Sequence, residues 1–195
     1  MAQLATFGHG GYTSYATCVK DMCQGEDSQL WIAVGQADEW DGGVAPEVDP
    51  SVFPNPIYYK RATFHLWRAL TQDEIDAGTP TPTLTYRSGG VTHYGVEVTD
   101  AEARDNYYHF LYTDVRLWYD DVVDDPLTLR AIGFYTHLIP TSGNEDKDIL
   151  LPAEVSNAGN LLALTHLEYP KILTTGDSFL VKWAIALQST QGGGS

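Results

Sequence analysis

Apolar and polar residues alternate along several segments of the chain, and this period of two is typical of β-strands with one buried face. The clearest alternation comprises Phe179, Val181, Trp183, Ile185 and Leu187. A short polar turn at 174–177 separates it from the strand-like segment 161–173. The pattern therefore predicts that these two segments form a final pair of strands.

Five earlier segments are also rich in the β-branched and aromatic residues that strands favour. They are 29–35, 58–70, the hairpin sequence RSGGVTHYGVEV, 107–120 and 127–139. Gly89-Gly90 supplies the positive backbone angles that a tight hairpin turn needs. The polar segments 71–83 and 99–106 are predicted to interrupt the strands.

One segment has a helical period instead. Its apolar residues share one face between Gly11 and Gly25, and they are Tyr12, Tyr15, Ala16, Val19, Met22 and Cys23. This spacing predicts one short amphipathic helix. The helix either covers the core of the domain or docks on a partner, in which case Tyr12 and Tyr15 are candidate contact residues.

A long proline-bearing loop is predicted at 36–57, because prolines at 46, 50, 54 and 56 exclude regular strand pairing. Its aromatic residues Trp40 and Phe53, together with Tyr58, are candidate binding or assembly residues. The alternative is that the rings of Trp40 and Phe53 fold back into the core of their own domain.

These elements predict a mainly β protein, an antiparallel β-sandwich or barrel-like domain with one short N-terminal helix and long loops. We expect an N-terminal arm with the helix at 1–28, one β-rich domain at 29–190 and a flexible glycine-rich tail at 191–195. The arm and the loop 36–57 are free to reach beyond the core, so we predict that they contact neighbouring molecules.

The negative charge of the chain argues against two classes of partner. With 26 acidic and 11 basic side chains, the formal net charge is −15, which opposes binding to nucleic acid or to an anionic membrane. The sequence shows neither a segment of about 20 apolar residues nor the basic and apolar parts of a signal peptide. We therefore expect a soluble protein that is made in a cytoplasm.

The sequence contains no recognised catalytic motif. The six histidines are scattered, and no serine lies in a nucleophile elbow. Cys18 and Cys23 are five residues apart, a spacing that fits neither a zinc knuckle nor a redox pair. We therefore predict that the protein is not an enzyme and has no cofactor.

The densest group of carboxylates is Asp120, Asp121, Asp124 and Asp125. Oxygen clusters of this kind bind hard cations such as calcium, so these four residues are weak candidate metal ligands. Their spacing does not match a calcium-binding loop, and we favour a solvated turn between strands with no metal.

The segment Leu30-Trp31-Ile32-Ala33-Val34-Gly35, followed by Trp40-Asp41 and a proline-rich stretch, resembles the opening of tail and baseplate-wedge proteins of contractile-tailed bacteriophages. The segments 129–134 and 179–187 are similar to the β-rich remainder of such proteins. The family has no catalytic residues to carry over. The acidic segment 120–125 and the glycine tail depart from it.

The resemblance implies a virion structural protein of the tail, in the baseplate, the tail terminator or the neck. It would assemble with copies of itself and with other phage tail proteins, and it would be located in the virion after assembly in the host cytoplasm. Two alternatives stay open: a carbohydrate- or receptor-binding module with a groove of rings such as Trp40, Tyr58 and Tyr59, and a hydrolase with an unrecognised site.

Overall fold

The structure is a computed structural model. It describes residues 19–21, 29–35, 53–88, 90–103, 109–122 and 127–186. Residues 19–21 are helical, which is the described part of the helix predicted around Tyr12–Cys23. No helix among the described residues is long and apolar enough to cross a membrane.

The described residues form mainly strands. The strands are β1 Leu30–Gly35, β2 Pro56–Ala62, β3 His65–Ala69, β4 Leu84–Ser88, β5 Val91–Glu97, β6 His109–Trp118, β7 Leu127–Thr136, β8 Ile139–Pro140, β9 Ile149–Leu150, β10 Val155–Asn157, β11 Asn160–Leu173 and β12 Ser178–Ala186. Besides the helical residues 19–21, the described residues include the helices α1 Gln72–Ala77 and α2 Asp100–Ala103, and 3-10 turns at Tyr119–Asp121 and Pro152–Glu154.

The strands pair in an antiparallel manner in three sheets. Their orders are β11-β7-β1-β2-β9, β10-β8 and β12-β6-β3-β5-β4. The predicted mainly β, antiparallel fold class is therefore confirmed, and one of the sheets curls into a half-barrel.

The chain divides into two compact units. Unit 1 comprises residues 1–21, 64–113 and 183–195, and unit 2 comprises residues 22–63 and 114–182. The domain boundaries expected from the sequence, at 28 and 190, stay a prediction.

Unit 2 is organised around β1. This strand lies between β2 and β7, and all six of its residues are buried. A continuous apolar run suits such a position, because both faces of a central strand pack against other layers. The cluster on one face comprises Trp31, Ala33, Tyr59, Tyr135, Leu138 and Leu150.

Unit 1 contains the predicted hairpin as β4 and β5, with Ser88 opposite Val91. Gly90 has a φ of 81°, a backbone conformation that favours glycine in a two-residue turn. A small core of Trp67, Leu84 and Tyr112 lies on this unit's sheet, where the rings of Trp67 and Tyr112 meet edge to face at 5.8 Å.

The single strand predicted at 58–70 is wrong, since the chain forms β2 and β3 there. The two strands have different partners: β2 pairs with β1 and β9, whereas β3 pairs with β5 and β6. Phe64, in the break, is buried against Trp183 with ring centroids 5.4 Å apart. Apolar and polar residues continue to alternate between β2 and β3, so the sequence pattern does not reveal where one strand ends and the next begins.

The interruptions predicted at 71–83 and 99–106 contain α1 and α2. Thr71 and Glu74 form a reciprocal capping box at the start of α1, and Gly78 ends it with a φ of 65°. At the start of α2, the Glu102 carboxylate accepts hydrogen bonds from the backbone N–H and the hydroxyl of Thr99. Caps rather than apolar periodicity stabilise these short helices.

The final pair of strands was predicted correctly as strands but wrongly as partners. β11 pairs with β7, whereas β12 lies beside β6 in another sheet. The turn between them is intact, with the Asp177 carboxylate accepting from the N–H and hydroxyl of Thr174. Such a turn permits a hairpin, but burial of each strand's apolar face decides its partner.

Candidate functional site

The outermost strand of the sheet in unit 2 is β11. It spans 14 residues, and among the described strands its only partner is β7. An edge strand presents backbone N–H and C=O groups on one side, so a strand of this length is a ready template for contact with another chain.

A bulge divides this edge. His166 lies opposite Ala131 and Lys171 lies opposite Leu129, so four residues of β11 intervene where β7 has one. Pro170, within the bulge, has no N–H to donate. Bulges and prolines are devices that prevent indiscriminate pairing at sheet edges, so this edge favours contact through side chains over simple strand addition.

Three large apolar side chains project from β11 into solvent, and we call them the apolar edge: Leu162, Tyr169 and Ile172. Tyr169 is 68% exposed and Ile172 is 61% exposed, values that a packed side chain does not reach. Aromatic residues with a polar tip are enriched in protein interfaces because they bury a large area at a small cost in side-chain entropy. The apolar edge therefore has the composition of a contact surface.

The structure places two of the five residues that the sequence singled out for assembly. Phe53 is half-buried against the core of unit 2, where its ring meets Tyr135 edge to face at 6.1 Å. This position agrees with the alternative in which the ring packs into its own domain. Tyr12, Tyr15 and Trp40 lie outside the described residues.

Tyr58 is fully buried within its own chain, at 0% exposure. Burial raises the pKa of its hydroxyl far above its usual range, and the negative charge of Asp121 raises that pKa further. Its hydroxyl faces the Asp121 carboxylate at 3.5 Å. Tyr58 thus contacts its own unit here, and a role in assembly stays a prediction.

Asp121 anchors the 3-10 turn that follows β6. Its two carboxylate oxygens each lie 2.8 Å from the Lys60 ammonium of β2, and one accepts from the Trp118 backbone N–H at 2.9 Å. The pair is largely removed from solvent, with side-chain exposures of 18% for Lys60 and 7% for Asp121. Asp121 is therefore the ion-pair partner of Lys60. The two residues are 61 positions apart, so their spacing in the sequence does not predict this pair.

The other weak metal candidates give no site in the described part of the chain. Asp120 is exposed, and Asp124 and Asp125 lie outside the described residues. Within the described ranges, no three histidine, cysteine or acidic side chains are arranged to hold a metal ion. His65 instead contacts Glu97 at 2.7 Å.

Comparison with known families decides what kind of protein carries this edge. The model of the family described as "Baseplate wedge 3 tail fiber network component" matches residues 21–177, well over half of the 195 residues. The chain belongs to this family. No curated protein matches it.

The match confirms the resemblance to baseplate-wedge proteins of contractile-tailed bacteriophages that the sequence motifs indicated. This baseplate component is accordingly a structural part of the tail fiber network in the phage virion, where it interacts with other baseplate proteins. The matched region includes β1 to β11, and so contains the whole apolar edge.

Sequence reasoning missed the apolar edge. The signal was present in Tyr169-Pro170, because a proline beside an aromatic residue inside a strand marks an edge or a bulge. It was not used because the alternation on both sides of the proline suggested an uninterrupted paired strand.

Proposed function

We propose that the protein acts purely by protein–protein assembly in the baseplate and that the apolar edge on β11 is a contact surface for another baseplate protein. The observation that carries the proposal is the exposure of Tyr169 and Ile172 on the outermost strand of the sheet. Family membership supports the location in the baseplate over the tail terminator or the neck.

The electrostatics support a protein partner over nucleic acid or membrane. Within 160–173 the only formal charges are Glu168 and Lys171, which cancel, although the chain as a whole carries −15. A neutral segment on an acidic protein is where an approaching acidic protein meets the least repulsion. The same net charge opposes binding to DNA or to an anionic membrane elsewhere on the chain.

The carbohydrate-binding alternative loses its proposed platform. It required a groove of exposed rings such as Trp40, Tyr58 and Tyr59. Trp40 lies outside the described residues, and the side chains of Tyr58 and Tyr59 are buried. Tyr59 packs edge to face on Tyr135 at 5.8 Å. A groove built on these two rings would need the core of unit 2 to open, so we retain assembly as the function.

Replacement of the apolar edge tests the proposal. The variant Tyr169→Ala/Ile172→Ser is produced in phage that lack the wild-type gene, and its amount in purified virions is measured by quantitative mass spectrometry. Because interface anchors dominate contact energy, we expect incorporation to fall by about tenfold or more. Fewer intact baseplates are expected in electron micrographs.

Val91→Ser is the matched control. Val91 is 58% exposed on β5 of unit 1, so the variant removes exposed apolar surface from a strand other than β11. We expect it to incorporate as the wild type does. Normal incorporation of Tyr169→Ala/Ile172→Ser, with the protein folded by circular dichroism, would overturn the proposal, as would equal loss for Val91→Ser.

A further inference from the structure

A second surface of unit 2 differs from the apolar edge because it is cationic. On β6, Arg116 and Trp118 are exposed whereas Val115 and Leu117 are buried. On β12, Leu180 and Lys182 are exposed whereas Val181 is buried. Neighbouring strands therefore present one solvent-facing side, which we call the basic face: Arg116, Trp118, Ser178, Leu180 and Lys182.

Arg116 is held in position on the basic face. Its guanidinium carbon lies 5.5 Å from the centroid of the Trp118 ring, and Nη1 donates to the Ser178 hydroxyl at 3.0 Å. In the described residues, no carboxylate forms an ion pair with Arg116 or Lys182. A guanidinium that is oriented by a ring and a hydroxyl keeps donors free for an external carboxylate, at little further cost in side-chain entropy.

The basic face carries two cations in a chain whose acidic side chains outnumber its basic ones by 26 to 11. Asp114 is the one acidic residue that shares this side of β6 in the described part. On the face itself, Arg116 and Lys182 outnumber the one carboxylate of Asp114, whereas Asp120 and Asp177 lie in the adjoining turns. Such a face attracts an acidic segment and orients it.

Unit 2 also carries an acidic segment of the required kind. The loop 143–148, which we call the acidic loop, exposes Glu145, Asp146 and Asp148. Its lysine, Lys147, is paired with Glu154, and Asp148 meets Arg61 only at 3.6 Å. Asp146 has no ion-pair partner among the described residues. The loop therefore presents negative charge to an approaching molecule.

We propose that the basic face binds the acidic loop of a second copy of the chain. The two surfaces are formed by different residues, so the contact is heterologous: each copy offers its face to one neighbour and its loop to another. Contacts of this type repeat and produce rings or chains of copies. The inference extends the proposed function, since it names a self-association in addition to the contact at the apolar edge.

Charge reversal on each side provides the test. Arg116→Glu/Lys182→Glu reverses the face, and Glu145→Lys/Asp146→Lys reverses the loop. Sedimentation velocity of the purified full chain should show self-association that weakens by at least about tenfold between roughly 50 mM and 500 mM NaCl. Each variant alone should associate at least about tenfold more weakly than the wild type.

Mixing the two reversed variants gives the decisive measurement. The acidic loop of the face-reversed variant then meets the intact basic face of the loop-reversed variant, and the two reversed surfaces also match. The mixture should therefore form assemblies in which the two variants alternate, although neither variant self-associates. Far-UV circular dichroism and thermal unfolding check that both variants are folded. A wild type that is monomeric at low salt, variants that associate like the wild type, or a mixture that shows no complex would each overturn the inference.

The two proposals fail independently. Tyr169→Ala/Ile172→Ser should retain wild-type self-association in the same sedimentation experiment, because the apolar edge is not part of the basic face or the acidic loop. If that variant incorporates normally into virions, the role of the apolar edge is lost and the charge-reversal result is unaffected.

Discussion

The two strands that flank β7 differ in almost every physical respect. β1 has six residues, is paired on both sides and is buried throughout. β11 has 14 residues, is paired on one side among the described strands, and exposes Leu162, Tyr169 and Ile172. One neighbour of β7 thus contributes stability, whereas the other leaves apolar surface free for contact with another protein.

The largest effect on stability is expected from the buried strand. Trp31 is part of the core of unit 2, and Arg61 stacks over its ring at 5.2 Å. Trp31→Ala should lower the free energy of unfolding by about 3–5 kcal/mol, because a large cavity replaces the ring. Tyr169→Ala on β11 should change it by less than about 0.5 kcal/mol.

Urea unfolding of both variants measures this difference. If Tyr169→Ala destabilised the isolated protein as much as Trp31→Ala, β11 would be a core strand and the contrast between the two neighbours of β7 would be wrong.

A smaller loss is expected at β2, the other neighbour of β1. Asp121→Ala leaves the Lys60 ammonium without its carboxylate in a largely buried position, and we expect a cost of about 2–4 kcal/mol. Lys60→Met/Asp121→Ala should be less destabilised than the sum of the single variants, because removing both charges removes the unpaired one. A double-mutant cycle in urea measures the coupling, and additive single effects would show that the ion pair contributes nothing.

The smallest effect lies outside both strands, at the cap of α1 in unit 1. The Arg68 guanidinium, 2.8 Å from the Glu74 carboxylate, and hydrogen bonds from Thr71 together lower the pKa of Glu74 to about 2. A lowered folded-state pKa contributes stability above the ordinary value of 4.5, and that contribution is lost as the pH falls through about 2.

Thermal unfolding of wild type and Glu74→Gln should therefore differ most above pH 5 and converge as the pH approaches 2. Asp73→Asn, on the same helix, is the control, and its difference from the wild type should be smaller at neutral pH. A difference for Glu74→Gln that persists unchanged to pH 2 would contradict an electrostatic origin.

Much of the secondary structure was predictable because the order of apolar, polar and glycine residues within a short segment indicates it. The apolar run 30–35, the paired glycines of the hairpin and the alternation at 179–183 each give a strand from a few neighbouring residues. The break at Thr63-Phe64 and the helices α1 and α2 were not predicted, because a change of strand partner and a cap formed by two side chains leave only a weak trace in hydrophobic periodicity.

The sequence predicted the type of contact surface but not which residues form it. The sequence indicated aromatic contacts and baseplate assembly, but Tyr58 lies buried and Tyr169 lies exposed. Both are tyrosines in strands. Tyr58 lies on β2, which pairs with β1 and β9, whereas Tyr169 lies in the bulge of an edge strand.

The sequence by itself determined the antiparallel β class, the acidic character and the family, since composition, strand period and short motifs are local properties. The tertiary structure alone decided that β11 and β12 join different sheets, that Lys60 pairs with Asp121, and that the basic residues of β6 and β12 share one exposed face. Each of these depends on residues distant in sequence, and burial of the apolar surface selects among pairings that local patterns leave equivalent.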